Sequence, residues 1–190
     1  MSEVRKKLES TAEQGTATPR MLAWAKNSAA YRLARRMMTE QELENAIARK
    51  ARQKFEEISA EQVAALVEAA LTFGRQTRAL DDAAYAEVKA RSSALAGRSK
   101  RMIARKLHEK GVDGGLIANA LAEADDLRAA IVFARKRAFG PFRKAERDQQ
   151  RINKELSAFA RNGFSLDLAR RVISMDIDEA TTVLIERPGI

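Results

Sequence analysis

Three stretches of the chain repeat one pattern: a polar residue, then pairs of mostly apolar residues three and four, and again seven and eight, positions later. The first begins at Ser59, the second at Asp113 and the third at Ser165, so the pattern returns after 54 and then 52 residues. Apolar pairs at this spacing line one face of an α-helix, and the Ser or Asp side chain can cap its first turn. Self-similarity with a period near 50 residues predicts an array of like helical units.

A tight corner is predicted in front of the second and third of these helices. Gly111 and Gly163 stand two residues before the cap in the second and third copies, where a glycine can end the preceding helix in the left-handed conformation. The first copy has Glu57 at this place. The sequence therefore predicts helix-turn-helix corners in the second and third copies and leaves the course of the first one open.

The segment before each corner is amphipathic as well. It is predicted to form a helix from Thr39 to about Phe55 in the first copy, from near Ser99 in the second, and from about Phe142 to Asn162 in the third. A further helix precedes each of these segments. In the middle copy it begins at the acidic pair 81–82, which suits the positive end of a helix dipole, and turns Tyr85 and Val88 inward.

Nine helices follow from this pattern, with a short tenth after Asp176. No stretch alternates with period two, so no strand is predicted. The fold class is all-α, with three tandem three-helix repeats in an extended body. We expect a flexible N-terminal tail at 1–20, repeat 1 at 21–76, repeat 2 at 77–124, and repeat 3 with the C-terminal helix at 125–190.

Charge is distributed unevenly along the chain. The 35 Lys and Arg residues against 26 Asp and Glu give a formal net charge of +9. Residues 98–110 hold six basic residues against one acid, and residues 128–151 hold eight against two, whereas residues 56–88 hold seven acids against two arginines. Such basic clusters on a helical scaffold attract polyanions or acidic protein surfaces. Solvation of exposed helix faces is the plainer interpretation for any single Lys or Arg.

The residue groups that usually carry catalysis are missing from the sequence. There are no cysteines and one histidine, His108, which lies among charged residues of an amphipathic helix. Neither a P-loop nor a group of metal ligands at a suitable spacing is visible. We therefore expect a protein that is not an enzyme and that uses no cofactor or metal. No apolar run has the length of a signal peptide or membrane span, which favours a cytoplasmic location.

The middle copy resembles the central motif of the RecX family of recombinase regulators. The resemblance rests on Asp81-Asp82, Tyr85, Arg91-Ser92, Gly97, Gly111-Val112-Asp113 and Leu121. Residues 31–36 with 39–43 resemble the first repeat of that family, and residues 133–143 with 161–165 resemble its third. The similarity spans residues 22–175. It implies three three-helix modules bent into an elongated, curved body.

Membership of that family would imply a function as well. Such proteins dock in the helical groove of the RecA filament on DNA and inhibit its ATPase and strand exchange, thereby modulating recombination and DNA repair. We expect a monomer that contacts the filament, and DNA phosphates, through basic residues. The predicted contact residues are Arg98, Lys100, Arg101, Arg105, Arg135, Lys136, Arg137, Arg143, Lys144 and Arg147, of which the first, third and fourth are expected to share one helical face opposite Ile103 and Leu107.

Two other functions remain open from the sequence. The first is a helical nucleic-acid-binding protein without a recombinase partner, since a helix-turn-helix can place a helix in the major groove. Against it, the helix from Asp113 has no Lys or Arg before Glu123, and the helix from Ser59 is acidic. The second is a structural repeat scaffold that assembles other proteins through apolar patches.

Overall fold

The computed structural model describes residues 16–144, 146 and 148–186. Ten α-helices and one 3-10 turn, and no strand, lie in this part of the chain. The prediction of an all-α protein with nine helices and a short tenth is thus confirmed for the described residues. Most of the predicted N-terminal tail, up to residue 15, lies outside them.

The first three helices begin where the sequence places a capping residue. They are α1 (Pro19–Leu33), α2 (Glu40–Lys54) and α3 (Ala60–Gln76). Thr39 and Ser59 cap α2 and α3, and in both cases the side chain three residues later bonds back to the cap, forming a full capping box. These contacts are local in sequence, which is why the pattern predicts them.

The remaining helices follow the same order of cap, helix and corner. They are α4 (Asp82–Leu95), α5 (Lys100–His108), α6 (Gly114–Leu121), α7 (Asp126–Arg137), α8 (Gln149–Arg161), α9 (Leu166–Ser174) and α10 (Ile177–Ile185), with the 3-10 turn at Gly140–Phe142. Asp176 caps α10, which is the short tenth helix predicted after that residue.

The corners before α3, α6 and α9 all use a left-handed residue. Gly111 and Gly163 have φ values of +79° and +83°, as predicted. Glu57 has a φ of +53° in the first corner, so the chain turns there in the same way without a glycine. A side chain in this conformation costs about 1–2 kcal/mol relative to glycine.

Two details of the predicted elements are wrong. The second helix of the third copy begins at Gln149 and not at about Phe142, because Asp148 caps it and the chain before it forms the 3-10 turn. Val88 does not face inward; its side chain is 50% exposed, whereas Tyr85, three residues earlier on α4, is buried as predicted.

The chain forms two compact units. Unit 1 contains the described residues as far as Tyr85 together with Lys110–Val112. Its core joins α1, α2 and α3 through small and aliphatic side chains such as Ala29, Ile47 and Leu66, all fully buried. Small residues such as alanine let neighbouring helix backbones approach closely, whereas the larger aliphatic side chains fill the space between them.

Unit 2 contains Ala86–Glu109 and the described residues from Asp113 onward. Three phenylalanines form its centre: the ring of Phe133 on α7 lies 5.1 Å from that of Phe159 on α8 and 5.7 Å from that of Phe164 before α9. The rings meet edge-on or tilted, which is the favourable arrangement for aromatic pairs. This cluster fixes α7 against α8, and both helices position the candidate site described next.

A candidate basic interface

Both basic clusters predicted from the sequence lie in unit 2. Nine of the ten predicted contact residues are described, and all nine belong to this unit; Arg147 lies outside the described residues. Four of the nine come from α5 and the residues before it, and five from α7 and the segment after it. The structure therefore collects into one body cationic residues that are up to 46 positions apart in the sequence.

The loop before α5 lies directly on α7. Gly97 has a φ of +80°, and a β-carbon there would come within 2.9 Å of the backbone nitrogen of Phe133. Lys136 donates a hydrogen bond from Nζ to the carbonyl oxygen of Ala96 at 2.9 Å. Arg98 follows this loop and is exposed, and the last turn of α7 that the loop contacts carries Arg135, Lys136 and Arg137.

The start of α5 is fixed by side chains from two other elements. Ser99 is fully buried, accepts from the Met102 backbone nitrogen and donates to the carbonyl oxygen of Asn162 at 2.7 Å. Asp126 accepts a hydrogen bond from the Lys100 backbone nitrogen at 2.7 Å. The first turn of α5 is thereby tied to the start of α7 and the end of α8.

We call the resulting group of cations the basic seam. It consists of Arg98, Lys100, Arg101, Arg135, Lys136 and Arg137. All are exposed except Lys100, which is half-buried. None of the six forms an ion pair with a carboxylate of the described residues; Asp126, which lies beside them, accepts from the Lys100 backbone nitrogen and not from its ammonium group. Cations at the end of α7 also suit the negative end of its dipole, which alone accounts for part of their placement.

The other predicted contact residues have distinct surroundings. Arg105 is exposed, one turn after Arg101 on α5, and forms an exposed pair with Glu109 at 3.1 Å. Arg98 is not on the same helical face as these two, because Ser99 caps α5 and Arg98 precedes the helix; that part of the prediction is wrong. Ile103 and Leu107 are buried on the opposite side of α5, as predicted.

Arg143 is bound inside the protein. Its guanidinium donates two hydrogen bonds to Glu155, of 2.7 and 2.5 Å, and the side chains of the two residues are 9% and 2% exposed. The hydrogen bonds to Glu155 raise the pKa of Arg143. Glu155 also accepts from the backbone nitrogen of Gly140, so the pair anchors the chain before the exposed Lys144.

A row of polar residues on α8 was not singled out from the sequence. Its members lie at spacings of three and four along the exposed side of the helix and line a shallow groove of about 320 Å³: Gln150, Asn153, Lys154, Ser157 and Arg161. The row contains amide, hydroxyl and cationic groups and no acid. Their spacing of three and four positions in the sequence could have indicated one polar face of a helix.

Comparison with known proteins identifies the family. Residues 81–121 match the sequence model of the second three-helix domain of RecX. The regulatory protein RecX of Agrobacterium fabrum is 54% identical over 171 residues, covering 90% of this chain and 93% of that protein. The chain belongs to the RecX family of regulatory proteins. RecX of Myxococcus xanthus is 34% identical over 183 residues, covering 91% and 97% of the two chains.

Solved RecX structures share the fold. The crystal structure of RecX from Lactobacillus salivarius superposes with a TM-score of 0.62 at 19% identity, covering 87% of this chain and 99% of that one. A second, a crystal structure of regulatory protein RecX, has the same TM-score at 20% identity, covering 92% and 79%. The matched RecX domain includes the start of α5, and hence half of the basic seam.

Two properties of the described residues limit the type of site. No group of three or more His, Asp or Glu side chains there is arranged to hold a metal ion. None of the described helices combines the length and apolar character needed to cross a membrane.

Proposed function

We propose that the protein binds the RecA filament on DNA through the basic seam and inhibits the filament's ATPase and strand exchange. The observation that carries it is that the cations of the seam come from two segments, which meet where Lys136 bonds to the carbonyl oxygen of Ala96, and that none of the six forms an ion pair with a described carboxylate. A filament of protein on DNA presents repeated acidic groups and phosphates. A cationic surface is attracted to such a partner, and many modest contacts act together.

The predicted residues would have different tasks in this function. Arg98, Lys100, Arg101 and Arg105 would contact the filament from α5 and the loop before it, and Arg135, Lys136 and Arg137 from α7. Arg143, held by Glu155, would act by fixing the chain that carries Lys144. The polar groove of α8, with Lys154 and Arg161, suits the phosphate and sugar groups of the filament DNA. The protein would act in the cytoplasm as a monomer.

Charge reversal of α5 tests this proposal. The variant Arg98→Glu/Arg101→Glu/Arg105→Glu should lose inhibition of RecA ATPase while keeping the helical content of the wild type. The matched control reverses three exposed cations of unit 1, Arg49→Glu/Lys50→Glu/Arg52→Glu, and should inhibit normally. Equal inhibition by both variants, or equal loss in both, would contradict a role for this surface.

Binding can be measured separately from inhibition. The wild type should co-pellet with a preformed RecA filament in the presence of nucleotide, and much less with naked single-stranded DNA. Affinity should fall steeply with salt, because cations that bind phosphates release counterions. Salt-insensitive binding would instead favour the scaffold function, in which apolar patches make the contact.

A sequence-reading DNA-binding protein is the second candidate. It would need a cationic helix to enter the major groove, and α6 carries no Lys or Arg. On α9, Arg170 and Arg171 are exposed, and Arg170 is paired with Asp167 at 3.1 Å. Tight, sequence-selective gel shifts of duplex DNA without recombinase would favour this candidate over filament binding.

A further inference from the structure

The start of α2 is held by residues that are distant in the sequence. Thr39 donates a hydrogen bond from Oγ1 to the carbonyl oxygen of Lys110 at 2.7 Å. Asp82 accepts from the Glu40 backbone nitrogen at 2.9 Å. Gly111, beside Lys110, has a φ of +79° and lies against the first turn of α2. All of these residues belong to unit 1.

The start of α5 is held in the same way within unit 2. Ser99 donates to the carbonyl oxygen of Asn162, and Asp126 accepts from the Lys100 backbone nitrogen, each at 2.7 Å. Gly163, beside Asn162, has a φ of +83° and lies against Ser99. We call these two arrangements the first and second junctions. Their parts correspond one to one: Thr39 with Ser99, Asp82 with Asp126, Lys110 with Asn162, and Gly111 with Gly163.

The two junctions differ in the charge of the helix they hold. The first turn of α2 carries Glu40 and Glu42, and Lys110 pairs with Glu42 at 2.7 Å. The first turn of α5 carries Lys100 and Arg101, which belong to the basic seam. One hydrogen-bonding arrangement thus serves an acidic helix start in unit 1 and a cationic one in unit 2.

We propose that Asp126 and Ser99 are positioning residues for partner binding: the second junction orders the cations at the start of α5 beside those of α7. This inference rests on the proposed function. Asp126 accepts a hydrogen bond from the first free amide of α5, and the side chain of Ser99, the residue before α5, bonds to the end of α8. Arg98 and Arg101 therefore project from a backbone that is fixed on both sides. Ordered cations bind with a smaller loss of conformational freedom than cations on a fraying helix end.

Substitution of Asp126 distinguishes the effect of its hydrogen bond on binding from the effect of its charge. Loss of a negative charge beside the seam makes the surface more cationic, so electrostatics alone predicts tighter binding to a polyanion. Loss of the hydrogen bond to α5 predicts weaker binding. Asp126→Ala removes both charge and acceptor, whereas Asp126→Asn removes the charge and keeps an oxygen that can accept from the Lys100 amide.

The first junction supplies the matched control. Asp82→Ala removes the same hydrogen bond from the corresponding place in unit 1, where no residue of the basic seam lies. We expect Asp126→Ala to weaken binding to a preformed RecA filament about tenfold, as suits the loss of one net hydrogen bond. Asp126→Asn should bind at least as tightly as the wild type. Asp82→Ala should lower the melting temperature comparably and leave affinity within about twofold of the wild type.

Two binding results would overturn the proposal. One is an equal loss of affinity in Asp82→Ala and Asp126→Ala, which would reflect general destabilisation. The other is unchanged or tighter binding by Asp126→Ala, which would leave charge as the only effect. Failure of the wild type itself to bind the filament would refute the proposed function.

A distance measurement tests the positioning without recombinase. The chain has no cysteine, so spin labels can be attached through Arg98→Cys and Arg135→Cys alone. We expect a narrow distribution of distances between the labels, broadened by Asp126→Ala and restored by Asp126→Asn. A distribution that Asp126→Ala leaves unchanged would overturn the proposal, whatever the filament assay gives.

Discussion

Gly163 lies against Ser99 so closely that a β-carbon at position 163 would be 2.6 Å from the Ser99 hydroxyl oxygen. The glycine is thus required twice: for its φ of +83° and for the space beside the start of α5. Gly111 has the same two roles against Gln41 at the start of α2. At the first corner, Glu57 is exposed and only the conformation is required, so a side chain is tolerated there.

Gly163→Ala should destabilise the protein by about 2 kcal/mol, since it adds both left-handed strain and a close contact. Thermal unfolding followed by circular dichroism measures the effect. The control is Gly114→Ala at the start of α6, where a β-carbon would meet nothing within 4 Å; it should be neutral or slightly stabilising. A Gly163→Ala protein as stable as the wild type would contradict the close approach to Ser99.

Glu57→Gly should stabilise the protein by about 0.5–1 kcal/mol, because it relieves the left-handed conformation of a residue with a side chain. Urea denaturation gives the free energy of unfolding. Glu56→Gly, one residue earlier and with no positive φ, should be neutral or slightly destabilising because only the entropy of the unfolded chain rises. The same effect in both variants would argue against strain at Glu57.

Local contacts explain how much of the fold the sequence predicts. The caps of α2, α3, α5 and α9 bond to a residue three positions away, so a short window of sequence contains the whole interaction. The start of α8 was misplaced because the chain after Phe139 bends into a 3-10 turn. That turn is held by Glu155, which lies 15 residues away from its partner Gly140.

The sequence predicts the residue types of the candidate site but not how these residues are arranged. The clusters of Lys and Arg are visible in the sequence, but their meeting depends on contacts such as Ser99 with Asn162, 63 residues apart, and Lys136 with Ala96, 40 residues apart. Arg143 has the same residue type as its neighbours in the cluster, yet it is bound internally. Only its buried partner Glu155 distinguishes it from a surface contact.

Glu155→Ala should destabilise the protein by about 3–5 kcal/mol, because it leaves the Arg143 guanidinium largely buried without its counterion. The midpoint of urea unfolding should shift accordingly. Glu109→Ala removes the exposed partner of Arg105 and should cost less than about 1 kcal/mol. If the two variants had similar stability, the Arg143–Glu155 pair would not be an anchor for the 3-10 turn.

Lowering the pH should reduce the stability of unit 1, because Glu40 becomes protonated. Two hydrogen bonds from Arg75, of 2.7 and 2.5 Å, lower the pKa of Glu40 from its ordinary value of 4.5. A carboxyl with a lowered pKa stabilises the folded state above 4.5, and this contribution disappears as pH falls through the lowered value. Burial raises the pKa of Asp82, so protonation of this carboxyl as the pH falls offsets part of that loss of stability.

Glu40→Gln isolates that contribution. The variant should be less stable than the wild type at pH 7, and the difference should shrink as the pH is lowered below 4.5. Glu56→Gln, at an exposed carboxylate with no ion pair to another described residue, serves as the control and should follow the wild-type curve. A difference between Glu40→Gln and wild type that stayed constant from pH 7 to pH 3 would exclude the Arg75 pair as its cause.

The salt dependence of filament binding shows whether the polar groove of α8 contacts phosphates or protein groups. If Lys154 and Arg161 contact filament DNA, Lys154→Ala/Arg161→Ala should weaken filament binding and lower the slope of log K against log salt by about one for each lost contact. Fluorescence anisotropy over a potassium chloride series measures both quantities. Lys50→Ala/Arg52→Ala, in unit 1, should keep the wild-type slope. A weaker affinity with an unchanged slope would mean that these side chains bind protein groups, since a contact that releases no counterion leaves the slope as it was.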